Sequence, residues 1–495
     1  MKRSRRISLE GDACIDAPAI VCDTGSSTVK CGWAGDAFPR LMNPSVIGRL
    51  AVSSSCDVMQ SDLSFNDWSA SSSSRGRKCR TEGLVFGDEA YAHEISVSRP
   101  LSSGGVFDWS ELEALWEWNF KSLIGLSESD DFPSKMTFAL TESLFSTRKS
   151  RERVVESIFE SFHGRAMSLS SQAALALCAR GQRSGVVLDM GETGCRAVPV
   201  YEGFVQVGGV RTLPVGGKHV TDRLWDSISR SATQLGSSKP GNFFPFVQKL
   251  KESACFVAPS SSLFEYRKTA HLTHALSRPV LLPDGTNLEI SSSRFMAPEV
   301  LFQPKLLGGA GHQELLGISE MLKEGISTCA LDVRKALWGG LLLTGGGAGL
   351  YGVGNRIRND LASIESLQID EPPGKELLAF KGAAALAEMY SGFNDWWLDK
   401  SEYEESGPQA VHRLIGGEIG SSRTSGGGGR NSNESAKNKS FRISRTSDDQ
   451  ENVKRNRLSV TSGDLDKSID SCFNVSNNLP RENIPTTLER IGQDA

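Results

Sequence analysis

Val21-Cys-Asp-Thr-Gly-Ser-Ser27 near the start of the chain and Val187-Leu-Asp-Met-Gly-Glu-Thr193 well inside it carry one pattern. Each is an apolar, strand-like run that ends in Asp, one residue, Gly and a polar residue. A second apolar run follows each. An acid beside a glycine-bearing turn can hold a hydrated metal and lets backbone N–H groups approach phosphate. One Asp-x-Gly is common in turns of no function. Two that face each other could grip one nucleotide from both sides, so the pair carries the weight.

Around each turn the pattern is α/β. Residues 19–22 and 29–33 read as a hairpin about the first turn. Residues 186–190 lead into the second. Ser110-Glu-Leu-Glu113 reads as a capping box opening a helix, with Leu112, Leu115, Trp116 and Phe120 as its apolar stripe. That places Glu111 and Glu113 at a helix start, not in a catalytic pair. A second helix is expected over 147–162, burying Val154, Val155, Ile158, Phe159 and Phe162 as core. A third is expected near 170–180. A glycine cluster, Leu341-Leu-Leu-Thr-Gly-Gly-Gly-Ala-Gly-Leu-Tyr-Gly352, joins a strand to a helix near 353–361. Bare backbone there could lie against a base or ribose. A strand hairpin followed by helices, occurring twice, predicts two similar halves.

The 495 residues allow two or three domains, and a net charge of −4 gives no whole-molecule case for nucleic-acid binding. A hydrophobic content of 38% and mean hydropathy of −0.27 imply that part of the chain is not packed. No apolar run approaches the ~18 residues of a membrane span. Met1-Lys-Arg-Ser-Arg-Arg6 is basic but lacks the apolar core of a secretory signal; it reads as a solvated tail, with weak nuclear import as the alternative. The ten cysteines show no metal-ligand spacing, as expected of reduced, mostly buried thiols. The Ser-rich stretch 51–81 reads as an irregular, polar, insertion-like segment. The Ser/Gly/Asn/Arg-rich tail 416–495 cannot bury enough apolar surface to offset chain entropy and is expected to be disordered, as is the polar, basic stretch 1–17. Arginines precede Ser8, Ser444 and Ser459 there, a pattern open to phosphorylation or to chance. His163, His219 and His312 show no metal spacing.

Longer matches, in order, make the reading specific. They are Cys31-Gly-Trp-Ala-Gly-Asp-Ala-Phe-Pro-Arg40, Phe86-Gly-Asp-Glu-Ala90, Val106-Phe-Asp-Trp109, Val198-Pro-Val-Tyr-Glu-Gly-Phe204, Pro298-Glu-Val-Leu-Phe-Gln-Pro304, Glu402-Tyr-Glu-Glu-Ser-Gly-Pro408 and Val411-His-Arg413. Over residues 19–415 the chain resembles actin and the actin-related proteins. Sugar kinases and heat-shock ATPases share the Asp-x-Gly turns but lack the last stretches. The resemblance implies an actin-like ATPase fold of two duplicated RNase H-like domains around a nucleotide cleft. The first would comprise 18–179 and 378–415, the second 180–377.

The resemblance also implies a site. Asp23 and Asp189 match acids that hold Mg²⁺ or Ca²⁺ through water. Gly25, Ser26, Lys30 and Gly191 match the phosphate turns. Gln172 matches the glutamine that positions attacking water. Lys251 and Glu252, with Gly217, Gly345 and Gly346, match the nucleoside side of an ATP or ADP site.

Departures fall in the same place. Where the family has Asp-Ser-Gly-Asp-Gly-Val-Thr-His, this chain has Asp189-Met-Gly-Glu-Thr-Gly-Cys-Arg196. Met190 removes a hydroxyl, Glu192 lengthens an acid, and Thr193 adds a β-branch where backbone approaches closely. Arg196 replaces a histidine, and a guanidinium cannot act as a general base. Ser27 replaces a glycine, and Glu376 a lysine. Residues 50–81 and Leu307-Gly-Gly-Ala-Gly-His-Gln313 lack the apolar anchors of filament contacts. The expectation is a nucleotide-binding assembly subunit with weak or absent hydrolysis, in a cytoskeletal (cytoplasmic) or nuclear complex. Its partners would be other proteins, such as actin or further actin-related subunits, with no nucleic acid or membrane. The alternative is an active, filament-forming ATPase.

Overall fold

The computed structural model describes residues 18–49, 83–92, 97–102, 105–127, 130, 132–142, 147–234, 244–269, 277–282, 285, 287–391 and 396–416. The expectations for 1–17, for 51–81, for the tail beyond Gly416 and for Ser8, Ser444 and Ser459 lie outside them.

Two sheets organise the chain. The first contains β1 (Ile20–Thr24), β2 (Thr28–Trp33), β3 (Leu41–Pro44), β4 (Thr137–Glu142) and β5 (Ala166–Ser171). The second contains β6 (Gly185–Met190), β7 (Cys195–Tyr201), β8 (Arg211–Leu213), β9 (Leu341–Thr344) and β10 (Ile369–Asp370). Their spatial orders are β3-β2-β1-β4-β5 and β8-β7-β6-β9-β10, with Leu398–Asp399 added beside β5 and Phe204–Val205 beside β7. In each, the first three strands pair antiparallel and the last two join in parallel. The halves expected from the repeated turn therefore share a topology.

The repeat holds at single-residue register. Asp23 lies opposite Lys30 on β1–β2, and Asp189 lies opposite Arg196 on β6–β7. Gly25 N–H donates to the Thr28 carbonyl at 3.1 Å, and Gly191 N–H to the Gly194 carbonyl at 2.9 Å. β1, β6 and β9 are almost wholly buried, as strands covered on both faces must be.

Helices cover the sheets. They are α1 (Trp109–Ile124), α2 (Arg148–Glu156), α3 (Gln172–Ala179), α4 (Gly217–Gln234), α5 (Phe244–Ala254), α6 (Val353–Asp360) and α7 (Leu378–Met389). The expected stripe of α1 is buried, but its cap is Asp108, not Ser110: Asp108 Oδ1 accepts from the N–H groups of Ser110 and Glu111. The Asp108 carboxylate, two residues earlier, accepts from the orphan N–H groups of the first turn, one of them that of Ser110 itself. Glu111 instead accepts from Arg49 and Ser98, and Glu113 from Ser157 and Arg153. Thr147 caps α2, whose α-helical hydrogen bonding ends at Glu156 and widens into a π turn over Ser157–Ser161. Ser170 and Ser171, expected in the third helix, finish β5.

α3 and α7 cross where Gly382 meets the α3 backbone. A Cβ at 382 would lie 2.0 Å from the Leu175 carbonyl oxygen. Gly382→Ala should therefore force the helices apart and cost about 1–3 kcal/mol. A thermal midpoint unchanged in circular dichroism would contradict this.

Candidate functional site

The sheets place their chemistry at strand ends. β1, β4 and β5 finish at Thr24, Glu142 and Ser171; β6 and β9 finish at Met190 and Thr344. A crevice outside the carboxyl ends of parallel strands is the general ligand position in such sheets. A cavity of about 600 Å³ opens there, and all twelve sequence-predicted residues line it: Asp23, Gly25, Ser26, Lys30, Gln172, Asp189, Gly191, Gly217, Lys251, Glu252, Gly345 and Gly346. The volume falls within the roughly 300–1,000 Å³ of small-molecule sites.

The first loop is held from behind. Ser45 Oγ donates to the Gly25 carbonyl at 2.6 Å, Trp116 Nε1 to Thr24 Oγ1 at 2.9 Å, and Arg99 Nη1 to the Ser26 carbonyl at 3.2 Å. Asp23 is buried and fully engaged. Lys30 Nζ donates to Oδ2 at 2.8 Å; Thr141 Oγ1 and Gln172 Nε2 donate to Oδ1 at 2.6 and 2.9 Å. Burial pushes the Asp23 carboxyl up. The Lys30 ammonium and the hydrogen bonds from Lys30, Thr141 and Gln172 outweigh it and hold the carboxyl below its usual range. Burial would pull the Lys30 ammonium down, but Asp23 holds it above its ordinary value.

The second loop docks on the start of α4. Gly217 N–H donates to the Gly191 carbonyl at 3.0 Å and Lys218 N–H to the Glu192 carbonyl at 2.8 Å. Ser26 Oγ and Thr193 Oγ1, 3.4 Å apart, bring the two turns face to face. Arg196 Nη1 donates to Asp189 Oδ2 at 3.4 Å. Burial raises the Asp189 carboxyl, and Arg196 offsets only part of that, so it stays above the usual range. Met190, expected to cost the loop a hydroxyl, is wholly buried in the second core.

On the far wall, Lys251 Nζ lies 3.5 Å from Glu192 Oε2 and donates to the Gly217 carbonyl at 3.2 Å. Glu192 Oε1 is buried with no partner among the described residues. Gln248 Nε2 reaches Glu252 Oε1 at 3.4 Å. Gly345, at φ +85°, packs on the second loop: a Cβ there would lie 2.6 Å from both Asp189 Oδ1 and the Met190 carbonyl. Gly346 faces open space. Glu376 lines the cavity, while Lys375 beside it turns to the Ala348 carbonyl and Glu371.

Sequence reasoning missed four contributors. Thr141 ends β4 beside Asp23, a place that strand order would have indicated. Arg99, Tyr91 and Phe244 meet behind the first loop, outside the cavity lining, where Arg99 holds the Ser26 carbonyl. Arg99 Nη2 donates to Tyr91 Oη at 2.9 Å, its guanidinium lies 5.1 Å from the Phe244 ring centroid, and Tyr91 stacks on Phe244 at 6.5 Å. Sequence offers no signal for that contact, since Phe244 is far away along the chain. Among the described residues no histidine lines the cavity. His219 Nδ1 accepts from Gly216 N–H, and His312 Nδ1 lies 2.8 Å from the Gly308 carbonyl.

A hydrated divalent cation asks for oxygen donors free to take it. Both Asp23 oxygens are engaged, Asp189 faces Arg196, and among the described residues no group of three His, Cys, Asp or Glu could hold a metal. The donor set does not fit a cation ligated directly by these two acids. Nucleotide is better matched: the turns, the orphaned Glu192 Oε1 and the open face at Gly346 all border the same space.

The duplicated sheets and the cleft are those of an actin-like ATPase fold. A family model for actin matches residues 14–415, and the chain belongs to the actin family.

Proposed function

We propose that the chain binds ATP or ADP in this cavity and works as a slowly hydrolysing or non-hydrolysing assembly subunit. The observation that carries the reading is Asp189 paired to Arg196 where a proton acceptor would stand. Gln172 spends its amide on Asp23 Oδ1, away from a water-positioning role. Ser26, Lys30 and Thr193 would take the phosphates, Glu192 Oε1 a ribose hydroxyl, and Gly346 the flat face of the base. Actin-family proteins commonly act with other proteins, and here the partners would be actin or further actin-related subunits, in the cytoplasm or the nucleus. No helix among the described residues is long and apolar enough to cross a membrane. We take 18–179 with 378–415 as one lobe and 180–377 as the other. In support, one buried core draws on residues 20–169 and 398–411, and another on 186–361.

Isothermal titration of the full-length protein with ATP and ADP tests binding; no heat with either would sink it. The alternative, an active filament-former, draws on Gln172 beside Asp23. Phosphate release coupled to sedimentable polymer would establish it instead.

Arg99 supplies a further expectation. Arg99→Ala removes the bridge between the first loop and Phe244, and should speed release of bound nucleotide by about tenfold, the effect of one lost contact of about 1.4 kcal/mol. Stopped-flow chase of a fluorescent ATP analogue reads the rate; an unchanged rate would assign the contact to packing alone.

A further inference from the structure

The two acid–cation pairs are the same structural position, used twice. Asp23 and Lys30 face each other across β1–β2, and Asp189 and Arg196 across β6–β7, in one register. The pairs line one cavity from opposite sides. Lys30 Nζ lies 2.8 Å from Asp23 Oδ2, and Arg196 Nη1 3.4 Å from Asp189 Oδ2. The Arg196 and Asp189 side chains keep 18% and 25% of their exposure, whereas Lys30 and Asp23 keep 11% and 4%. Arg196 is thus the looser partner, held at longer range and open to the cavity.

Charge decides what such a site needs. At the two turns the carboxylates of Asp23 and Asp189 are matched by Lys30 and Arg196. Elsewhere on the lining Glu142 pairs with Arg151 and Glu192 with Lys251, and Glu252 and Glu376 are further acids. A neutral side chain at 196 would leave Asp189 unmatched at the turn, a place for a divalent cation. With a guanidinium there, a metal would have to displace Arg196 to reach Asp189. Guanidinium also offers paired N–H donors that fit phosphate oxygens.

We propose that Arg196 is the second phosphate-binding cation, the counterpart of Lys30 in the other half, and that it substitutes for the divalent metal, so that the site takes metal-free nucleoside di- and triphosphates. This rests on the nucleotide reading above. Arg196, the longer-range and more exposed of the two cations, swings from Asp189 toward the phosphates as ligand enters.

The test is ATP titration of full-length wild type, Arg196→Ala and Arg196→Lys, each in excess EDTA and in MgCl₂, with thermal melts confirming that each is folded. Wild type should bind in EDTA within about threefold of its affinity in Mg²⁺. Arg196→Ala should lose about tenfold or more in EDTA and recover in Mg²⁺, while Arg196→Lys should retain binding in EDTA. Wild-type binding in Mg²⁺ that collapses in EDTA overturns the substitution while leaving nucleotide binding intact. Arg196→Ala that binds like wild type in EDTA overturns it as well. No ATP binding in either buffer removes the nucleotide reading and this inference together. If Arg196→Ala fails to fold, the wild-type comparison and Arg196→Lys decide.

Discussion

Arg356→Met should destabilise the fold by about 3–5 kcal/mol, because removing one partner of a buried ion pair strands the other. Arg356, on α6, is 1% exposed. Its Nη2 donates to Glu299 Oε1 at 2.8 Å and Ser261 Oγ at 2.7 Å, its Nη1 to Glu299 Oε2 and the Ala258 carbonyl at 3.0 Å, and its Nε to Asp360 at 2.9 Å. The Phe302 ring lies 4.7 Å from the guanidinium. Glu299 has no exposure at all. Methionine fills much of the volume but leaves that carboxylate uncompensated. Urea denaturation followed by circular dichroism reads the loss. Adding Glu299→Leu should restore part of it, since a buried pair replaced by apolar groups is often near neutral. A loss below about 1 kcal/mol for the single variant would mean that water reaches Glu299.

Lys30→Met should be the most damaging change in the cavity. It strands the buried Asp23, at about 3–5 kcal/mol by the same reasoning, and should lower ATP affinity by about a hundredfold through loss of a charge-assisted contact. The pH dependence separates the two partners. Asp23 has a folded pKa below its ordinary 3.8. Its contribution is therefore complete above 3.8 and is lost as pH falls through the lowered value. Lys30 is raised above 10.5, so its contribution is complete below 10.5 and is lost as pH rises through the raised value. Without Lys30, burial dominates and the Asp23 carboxyl rises. The variant then carries a penalty at neutral pH that protonation relieves. The stability gap between wild type and variant should be widest near neutrality and should narrow toward pH 4. A gap constant from pH 7 to pH 4.5 would show that Asp23 is not the group left stranded.

These two sites show what a sequence can and cannot disclose. Asp23 and Asp189 were legible because the chemistry of their turns is local, whereas Lys30, Arg196 and the other site residues came from the family resemblance; the twelve candidate residues converge on one cavity. The Pro298–Pro304 and Glu402–Pro408 stretches identified the family, yet their residues hold structure. Glu299 neutralises Arg356, Glu402 pairs with Arg413, and Tyr403 donates to Glu160 and stacks on Phe159. The cap of α1 was misread because Asp108 and Ser110 both suit an N-cap, and only backbone direction chooses between them. The widening of α2 into a π turn leaves no mark in an apolar stripe. Thr141 reaches the cavity through the order of the strands, and Arg99 and Phe244 meet behind the first loop through tertiary proximity alone.

The Arg99 contact ties the first loop to the start of α5 without an ion pair. Arg99 spends its charge on neutral groups: a loop carbonyl, a phenol and an aromatic face. Mobile ions weaken attraction between opposite charges far more than they weaken a stacked ring or a carbonyl bond. The seam should hold at ionic strengths that loosen the ion pairs around it, so the first loop stays tied to α5 when those pairs have let go.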